Sequence, residues 1–365
     1  MDKVNLLDIC NPKQWKTLAT SELIADGKYD VYGANGIIGK YDDYNHEKST
    51  VLITCRGATC GNVHLSKPFS YINGNAMSLD NLDESRCLKE YLYYYLKGID
   101  LSNSISGSAQ PQITIQGLKK INVSLYDIKQ QRQIVNILSK IENLITYKKD
   151  EIEKANQLIK SQFVEMFGDP NFNEKNWITG TVNDIGLCVA GATPSTAIKE
   201  YWENGTIPWL SSGEVNKGRI YETDTKISQK GYDNASTKLV PPKTVLIAMA
   251  GQGKTRGLSA ITEIELCTNQ SVCSIVNNDK VNPEYLLYFF KMQYLELRNA
   301  STSSEGRGGL NLKIIGNYKV MIPPIELQNK FAMIVEQIDK QKFEFEKSLK
   351  KLEELQASLM QEYFG

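Results

Sequence analysis

The feature that most constrains this chain of 365 residues is a run of 41 residues that occurs twice. Residues 127–167 match residues 324–364 at a constant offset of 197 positions, with no gap. Positions shared by the two copies include Ile128 and Ile325, Gln131 and Gln328, and Phe167 and Phe364. A constant offset of this length indicates an internal repeat, in which one structural unit occurs twice in series.

Both copies of the run carry apolar residues at alternating steps of four and three, with Glu, Lys and Gln between them. This spacing is typical of a coiled-coil seam. The alternative is that each helix is an amphipathic core helix of its own domain; a narrow stripe sustained over about five heptads favours the coiled coil. The predicted seam residues are Ile134, Leu138, Ile141, Ile145 and Ile152 in the first copy, and Phe331, Val335, Ile338, Phe345, Leu349 and Leu352 in the second.

A lysine interrupts the seam near the middle of each copy, at Lys148 and at Lys342. A polar residue at a seam position commonly fixes the register of a coiled coil at some cost in stability. An antiparallel pairing would bring the centres of the two helices together. We therefore hypothesise that these two lysines help to fix an antiparallel alignment.

The composition limits the classes of partner and site. Lys and Arg number 42, as do Asp and Glu, so the net charge does not favour nucleic acid as a partner, and any DNA-binding face would have to be a local patch rather than a bulk property. The seven cysteines form no C-x-x-C pair and only two histidines are present, so we expect reduced thiols, no metal site and no cofactor. No apolar stretch approaches the ~18–20 residues that span a membrane, and no signal peptide is evident. These observations predict a cytoplasmic protein without a membrane partner.

The repeat also divides the chain. Residues 1–126 predict a mixed α/β domain, with a hairpin at Asn35-Gly36, a strand at 51–54, a helix at 89–97 and a strand at 121–125. Residues 127–168 predict the first long helix, residues 169–322 a second similar domain with inserted material at 192–230, and residues 323–365 the second long helix. The predicted fold class is α+β, with two mixed α/β domains separated by two helices that form an antiparallel coiled coil.

One segment of the second domain, residues 248–255, nearly matches a phosphate-binding loop through Gly253-Lys254-Thr255. Its first glycine is replaced by Ala248, and the residues that follow predict a strand, whereas a phosphate-binding loop must begin a helix. A β-hairpin turn is the favoured interpretation. An NTP-binding coiled-coil protein that uses Lys254 and Thr255 is the alternative from a different functional class, and a structural scaffold is a third, although a scaffold needs no pair of diverged domains.

Several short motifs in this order resemble the specificity subunit of type I restriction–modification systems, over essentially the whole chain. They are residues 32–39 (YGANGIIG), 191–195 (GATPS), Tyr201-Trp202, 207–210 (IPWL), and the paired tails I-x-x-Q at 128–131 and PPI-x-x-Q at 323–328. The resemblance implies two target-recognition domains that each recognise half of a split DNA sequence in the major groove. It further implies that the paired helices set the gap and dock two modification (methyltransferase) subunits and, through them, restriction subunits. The first half lacks the longer TPS/YW section of the second.

The sequence carries no Asn/Asp-Pro-Pro-Tyr/Phe motif for adenine methylation, no helicase motif and no glycine-rich cofactor fingerprint. We therefore expect a non-catalytic subunit with no catalytic residues. A specificity chain that serves a methyltransferase alone, or another restriction type, remains an open alternative.

Candidate DNA contacts are polar residues on the predicted turns and loops, because Gln and Asn pair with adenine, Arg pairs with guanine, and Lys and Arg bind phosphate. A solvated loop or ordinary turn chemistry is the alternative for each of them, and most clearly for the Ser211-Ser212 turn and for Asn35-Gly36. The candidates are Tyr32, Asn35, Arg56, Gln110 and Gln112 in the first half, and Ser211, Ser212, Lys254, Arg256 and Arg307 in the second.

Overall fold

The structure is a computed structural model that describes residues 2–107, 110–251, 253–300 and 309–365. It separates into two compact units. The first comprises Met1–Asp150 and Glu346–Gly365, and the second comprises Glu151–Phe345. Each unit therefore contains one globular domain together with part of each long helix.

The first unit contains eleven described strands and two short helices beside the long ones. The strands are β1 (Asp2–Asn5), β2 (Asn11–Gln14), β3 (Tyr29–Gly33), β4 (Gly36–Tyr41), β5 (Val51–Thr54), β6 (Val63–Leu65), β7 (Tyr71–Ile72), β8 (Ala76–Asp80), β9 (Ile105–Ser106), β10 (Gln112–Ile113) and β11 (Asn122–Leu125). The helices are α1 (Lys89–Gly98), α2 (Ile115–Leu118) and the long α3 (Ile128–Phe167). Short 3-10 turns span Leu6–Asp8, Thr20–Glu22 and Ser102–Ser104.

Two small sheets make up most of the first domain. An antiparallel sheet has the order β2-β8-β5-β6, and a second sheet has the order β4-β3-β7, in which β3 is antiparallel to β4 and parallel to β7. Helix α1 packs on the first sheet through buried apolar residues, with Tyr91 fully buried at the centre of the cluster. The Tyr91 hydroxyl donates to the carbonyl of Ser124 at 2.6 Å, so a buried polar group is satisfied and ties α1 to β11.

The second unit continues the numbering. Its strands are β12 (Thr179–Thr181), β13 (Gly186–Ala190), β14 (Ile207–Leu210), β15 (Arg219–Ile220), β16 (Thr225–Ile227), β17 (Val245–Ala248), β18 (Ser259–Thr262), β19 (Cys267–Thr268), β20 (Val272–Asn277) and β21 (Lys319–Met321). Its helices are α4 (Val182–Ile185), α5 (Gln229–Asp233), α6 (Pro283–Met292), α7 (Tyr294–Ala300), α8 (Leu312–Gly316) and the long α9 (Ile325–Phe364), with 3-10 turns at Lys199–Tyr201 and Ser212–Lys217.

The strand orders of the second domain repeat those of the first. Its larger sheet, β13-β20-β17-β18-β15, matches β2-β8-β5-β6 with one strand added at the edge. Its smaller sheet, β16-β14-β19, again has one antiparallel and one parallel neighbour around the central strand. The added strand β15 comes from the inserted segment. The predicted pair of similar mixed α/β domains is therefore confirmed, and so is the predicted strand at 51–54.

The two long helices begin and end at positions that differ by the offset of the sequence repeat: Ile128–Phe167 and Ile325–Phe364. In the first unit the beginning of α3 and the end of α9 share one core, in which Ile134, Leu138 and Phe364 are buried. In the second unit the end of α3 meets the beginning of α9, where the Phe331 ring lies 5.5 Å from the rings of both Phe163 and Phe167. The predicted antiparallel pairing of the two helices is confirmed.

Burial along the seam decreases toward the middle of the helices. The residues of the predicted seam that are buried are Ile134, Leu138, Ile141, Ile145, Phe331, Val335 and Ile338. The half-buried ones are Ile152, Phe345, Leu349 and Leu352. Polar contacts occupy this middle region: Lys342 Nζ donates to Asn156 Oδ1 at 3.0 Å, and Lys149 pairs with Glu353 at 3.0 Å. The role of Lys148 and Lys342 in setting the register stays a prediction.

Candidate nucleic-acid interface

In the first unit, three loops that the sequence predicts to contact DNA lie side by side. The first is the β3–β4 hairpin, which turns through Ala34 and Asn35 and continues at Gly36, whose φ of +78° is a left-handed conformation that favours glycine. The predicted hairpin is therefore confirmed. The Asn35 side chain is exposed at its tip.

The second loop follows β5 and is attached to the hairpin by two hydroxyl groups. Thr54 Oγ1 and Thr59 Oγ1 both donate to the carbonyl of Ala34, at 2.7 Å and 3.0 Å. Between these two threonines the chain exposes Arg56. The arginine is thus presented on a turn whose two ends are hydrogen-bonded to the hairpin.

The third loop leads into β10 and pairs with the second. The Ile113 amide donates to the carbonyl of Cys55 at 3.0 Å, the Gly57 amide donates to that of Pro111 at 3.3 Å, and Arg56 forms an isolated β-bridge with Gln112. Gln110 and Gln112 are exposed here. Four predicted contacts therefore share one surface, which we call the loop surface of the first domain and define as Asn35, Arg56, Gln110 and Gln112.

Tyr32, the fifth candidate in the first half, does not belong to this surface. Its side chain is buried against Leu52 and Ile72, and its hydroxyl accepts a hydrogen bond from the Lys67 amide at 3.1 Å. The structure therefore supports Tyr32 as a core residue of the small sheet rather than a DNA contact.

The equivalent loop of the second domain follows β17 and carries Lys254. Residues after Lys254 continue through a turn into β18, which is antiparallel to β17, and Gly253 has a φ of +75°. A phosphate-binding loop would have to begin a helix at this point. The predicted hairpin is confirmed, and the NTP-binding alternative loses the geometry that it needs.

The same main-chain contact that attaches the third loop in the first domain recurs in the second. The Leu310 amide donates to the carbonyl of Met249 at 3.2 Å, as the Ile113 amide does to that of Cys55. The main chain therefore repeats the arrangement that carries the loop surface of the first domain. Arg307, the last predicted contact, lies outside the described residues.

Helix α7 holds the Lys254 loop in place, a feature that the sequence analysis missed. The Tyr294 hydroxyl donates to the carbonyl of Lys254 at 2.8 Å, and Arg298 Nη1 donates to that of Arg256 at 3.2 Å. Tyr294 and Arg298 lie four residues apart on α7, so both side chains leave the same face of the helix. That spacing is the only sequence signal for their role, and it is a weak one. The Lys254 side chain is exposed and Arg256 is half-buried.

Ser211 and Ser212 occupy the position that the hairpin turn occupies in the first domain. The Asn269 amide donates to the carbonyl of Leu210 at 3.0 Å, as the Asn73 amide does to that of Tyr32 at 2.8 Å. The Ser211 amide and hydroxyl both bond to Glu214 Oε1, at 3.1 Å and 3.3 Å, and so cap the 3-10 turn that follows. Turn formation thus accounts for Ser211, while Ser212 is half-buried in the first turn.

Within residues 2–107, 110–251, 253–300 and 309–365, no group of three or more His, Cys, Asp or Glu residues could hold a metal ion. None of the helices in the described parts of the chain is both long and apolar enough to cross a membrane.

The comparison with known families decides the identity. The family described as "Type I restriction modification DNA specificity domain" matches residues 1–157 and 174–357. The chain belongs to this family. Each match covers one mixed α/β domain and most of the long helix that follows it. The resemblance inferred from the short motifs is therefore confirmed, and the function is that of a DNA specificity subunit of a type I restriction–modification system.

Individual specificity subunits agree with this assignment. The EcoR124I/EcoR124II specificity subunit of Escherichia coli is 23% identical over 305 residues, which are 81% of this chain and 74% of that protein. The MjaIX specificity subunit of Methanocaldococcus jannaschii is 34% identical over 173 residues, which are 45% of this chain and 38% of that protein. The crystal structure of a type I S subunit from M. genitalium matches 100% of this chain and 96% of its own with a TM-score of 0.68 at 19% identity, which establishes the fold.

Proposed function

We propose that this subunit recognises a bipartite, asymmetric sequence in double-stranded DNA and holds two modification (methyltransferase) subunits on it. Restriction subunits bind through the methyltransferases in systems that also cleave DNA. The chain itself catalyses no reaction and binds no cofactor. The observation that carries this proposal is the presence of the same fold twice, with different side chains on equivalent loops, joined by an antiparallel pair of helices.

In this proposal residues 1–126 and 169–322 are the target-recognition domains, and residues 127–168 and 323–365 form the spacer. The loop surface of the first domain suits major-groove recognition, because Asn and Gln can make paired hydrogen bonds to adenine and Arg can make them to guanine. In the second domain the candidate contacts are Ser212, Lys254, Arg256 and Arg307. Because the two sets differ in charge and length, the two half-sites should differ.

The long helices also carry exposed apolar residues that face away from the seam. On α3 these are Ile137, Leu144, Tyr147 and Leu158, and on α9 they are Met333, Phe343 and Leu355. Exposed apolar side chains grouped along one element commonly mark protein-binding surfaces. We propose that one methyltransferase subunit docks on each helix. A complex that acts on genomic DNA and lacks a membrane partner is expected in the cytoplasm.

Co-purification followed by methylome sequencing tests this function. The full chain, expressed with its natural neighbours, should retain two methyltransferase subunits. The host DNA should then carry methyl groups at a split motif with two unlike halves and one constant gap. A single continuous motif, or a palindromic one, would contradict the proposal. Cleavage of unmethylated DNA by the same complex distinguishes a restricting system from a methyltransferase-only one.

A further inference from the structure

Each long helix carries an acidic residue at the same position of the repeat. Glu142 on α3 and Asp339 on α9 differ by the repeat offset of 197 positions. Neither is a seam residue, and both turn toward the globular domain of their own unit. Each acid is bonded there to side chains that come from that domain.

In the first unit Glu142 is bonded by three side chains of α1. Lys97 Nζ donates to Glu142 Oε1 at 2.8 Å, the Tyr93 hydroxyl donates to the same oxygen at 3.1 Å, and the Tyr94 hydroxyl donates to Oε2 at 2.8 Å. Burial alone would raise the pKa of Glu142, but Lys97 and the two phenols hold that pKa below its ordinary value. The carboxylate is therefore charged at neutral pH and uses both oxygens to join α3 to α1.

In the second unit Asp339 is bonded by an arginine. Arg219 Nε and Nη2 both donate to Asp339 Oδ2, at 2.9 Å and 2.7 Å. The same guanidinium group donates to Glu263 at 2.7 Å and, through two nitrogens, to Glu284 at 2.8 Å and 2.7 Å. Arg219 lies on β15, Glu263 follows β18 and Glu284 lies on α6. One planar cation therefore joins the sheet, the domain helix and α9.

The two domains reach the same arrangement with different residues. The positions in α6 that correspond to Tyr93, Tyr94 and Lys97 of α1 hold Leu287, Tyr288 and Lys291, so the lysine and one phenol are kept and the other phenol is missing. The inserted segment supplies Arg219 instead. An acidic residue at the same position of the repeat therefore contacts the globular domain in both units, although its hydrogen-bonded partners differ.

The physical chemistry of these contacts favours a geometric role over a stabilising one. A half-buried ion pair often contributes little net stability, because desolvation of the charges offsets their attraction. Bonds that use both oxygens of a carboxylate, or several nitrogens of a guanidinium group, nevertheless fix the direction of approach. The side chains of Arg219, Glu284 and Asp339 are only 18%, 13% and 22% exposed, so solvent competes weakly for these bonds.

We propose that Glu142 and Asp339 are positioning residues that fix the orientation of each recognition domain on its own long helix, and thereby restrict the gap length that the subunit accepts. This inference rests on the proposed bipartite function. The carboxylates touch no DNA; they act through the domains that they hold.

The first experiment measures gap discrimination in the full complex. Binding to duplexes that carry both half-sites is compared at the natural gap and at gaps one base pair shorter and longer, for E142Q, D339N and the parent. In each variant we expect the preference for the natural gap to fall about tenfold, equivalent to about 1.4 kcal/mol, while each half-site sequence stays unchanged. The control is E336Q, one turn from Asp339, because Glu336 is exposed and pairs with the exposed Lys340 of its own helix at 2.7 Å. E142D and D339E should restore part of the preference.

The second experiment measures orientation without DNA. Spin labels introduced by a chemistry that spares cysteine are attached at the exposed Lys28 and Lys140 in the first unit, and at Lys226 and Lys330 in the second. E142Q should broaden only the distribution of distances between the labels at positions 28 and 140. D339N should broaden only the distribution between the labels at positions 226 and 330. Unchanged widths, or an unchanged gap preference in folded variants, would overturn the inference. If the parent itself shows no gap preference, the bipartite function has failed, and the distance measurement still decides whether the acids orient the domains.

Discussion

At the scale of single residues, one buried glutamine anchors the beginning of each long helix. Gln131 Oε1 accepts from the Leu88 amide, and its Nε2 donates to the carbonyls of Arg86 and Tyr126, all at 2.8 Å. Gln328 makes the corresponding bonds with the amide of Asn282 and the carbonyls of Lys280 and Pro323. Both glutamines are fully buried, so no water can replace these bonds without a rearrangement.

Replacement of either glutamine should therefore destabilise its unit strongly. Gln131→Leu has nearly the same volume but leaves one amide and two carbonyls without partners, which we expect to cost about 3 kcal/mol. The loss is measured as the shift of the urea midpoint at constant slope, together with faster hydrogen exchange at the Leu88 amide. Gln133→Leu is the matched control, because Gln133 lies on the same helix and is exposed. Equal effects of the two substitutions would contradict this account.

A half-buried lysine in the second unit, Lys291, is expected to make stability depend on pH. Burial, with the nearby positive charges of Arg219 and Lys342, lowers the pKa of Lys291 to about 8, although Asp339 and Glu284 oppose the shift. The folded state therefore holds the proton less tightly than the unfolded chain does. The protonated lysine should lower the free energy of unfolding by its full amount below pH 8. This loss should become smaller as the pH rises toward about 10.5, the pKa of lysine in the unfolded chain.

Lys291→Met should remove this penalty. We expect the variant to have a higher free energy of unfolding than the parent at pH 7, and the difference to shrink as the pH approaches 10. The variant also loses the contact of Lys291 Nζ with the Tyr288 ring, 4.5 Å from its centre, which reduces the gain. Urea unfolding at several pH values between 7 and 10 measures the difference. A variant that is less stable than the parent at pH 7 would show that the charged Lys291 side chain stabilises the folded state.

The candidate contacts also show how far residues can be assigned from sequence. Asn35, Arg56, Gln110 and Gln112 were predicted separately from turn chemistry and base-pairing chemistry, and the fold brings all four to one surface. Tyr32 is instead buried, beside a shift in the register of β3 and β4 between Val31 and Tyr32, and its role as a DNA contact stays an untested prediction. Such a bulge changes which face of a strand each side chain takes, and no local pattern in the sequence indicated it.

At the scale of elements, the long helices were the most predictable part of the chain. Their heptad spacing and duplication gave their type and pairing, because these depend on a period that is written in the sequence. The β15 strand and the Arg219 cluster were not predictable, since Arg219 contacts Asp339 across 120 positions of sequence. Contacts of that range depend on the completed fold, and the residues that form them have no periodic signal.

Two leucines on the same helix allow the seam and the outer face to be compared directly. Leu138 is 0% exposed and Leu144 is 48% exposed, both on α3. Leu138→Ala should lower the free energy of unfolding by about 2–5 kcal/mol, whereas Leu144→Ala should change it by less than about 0.5 kcal/mol. On the proposed docking surface, Leu144→Ala should instead weaken retention of a methyltransferase subunit in a pull-down. Full retention by Leu144→Ala would remove this residue from the docking surface.

At the scale of the whole molecule, the boundaries between the two units fall inside the long helices. One boundary lies between Asp150 and Glu151 on α3, and the other lies between Phe345 and Glu346 on α9. Side chains around these points are exposed or half-buried, and the nearest buried seam residues that precede them are Ile145 on α3 and Ile338 on α9. Residues added at both points should therefore leave the packing of each unit intact.

Matched insertions at these two points provide the strongest test of the proposed spacer. Seven residues preserve the heptad frame and add about 10 Å of helix, which corresponds to about three base pairs at ~3.4 Å each. We expect methylome sequencing of cells with the doubly extended subunit to find the same two half-sites, separated by a gap about three base pairs longer. An insertion in α3 alone is the control, because it misaligns the seam and should abolish methylation. Altered half-sites, or the original gap in the doubly extended subunit, would mean that the helices do not set the distance between the sequences that the domains recognise.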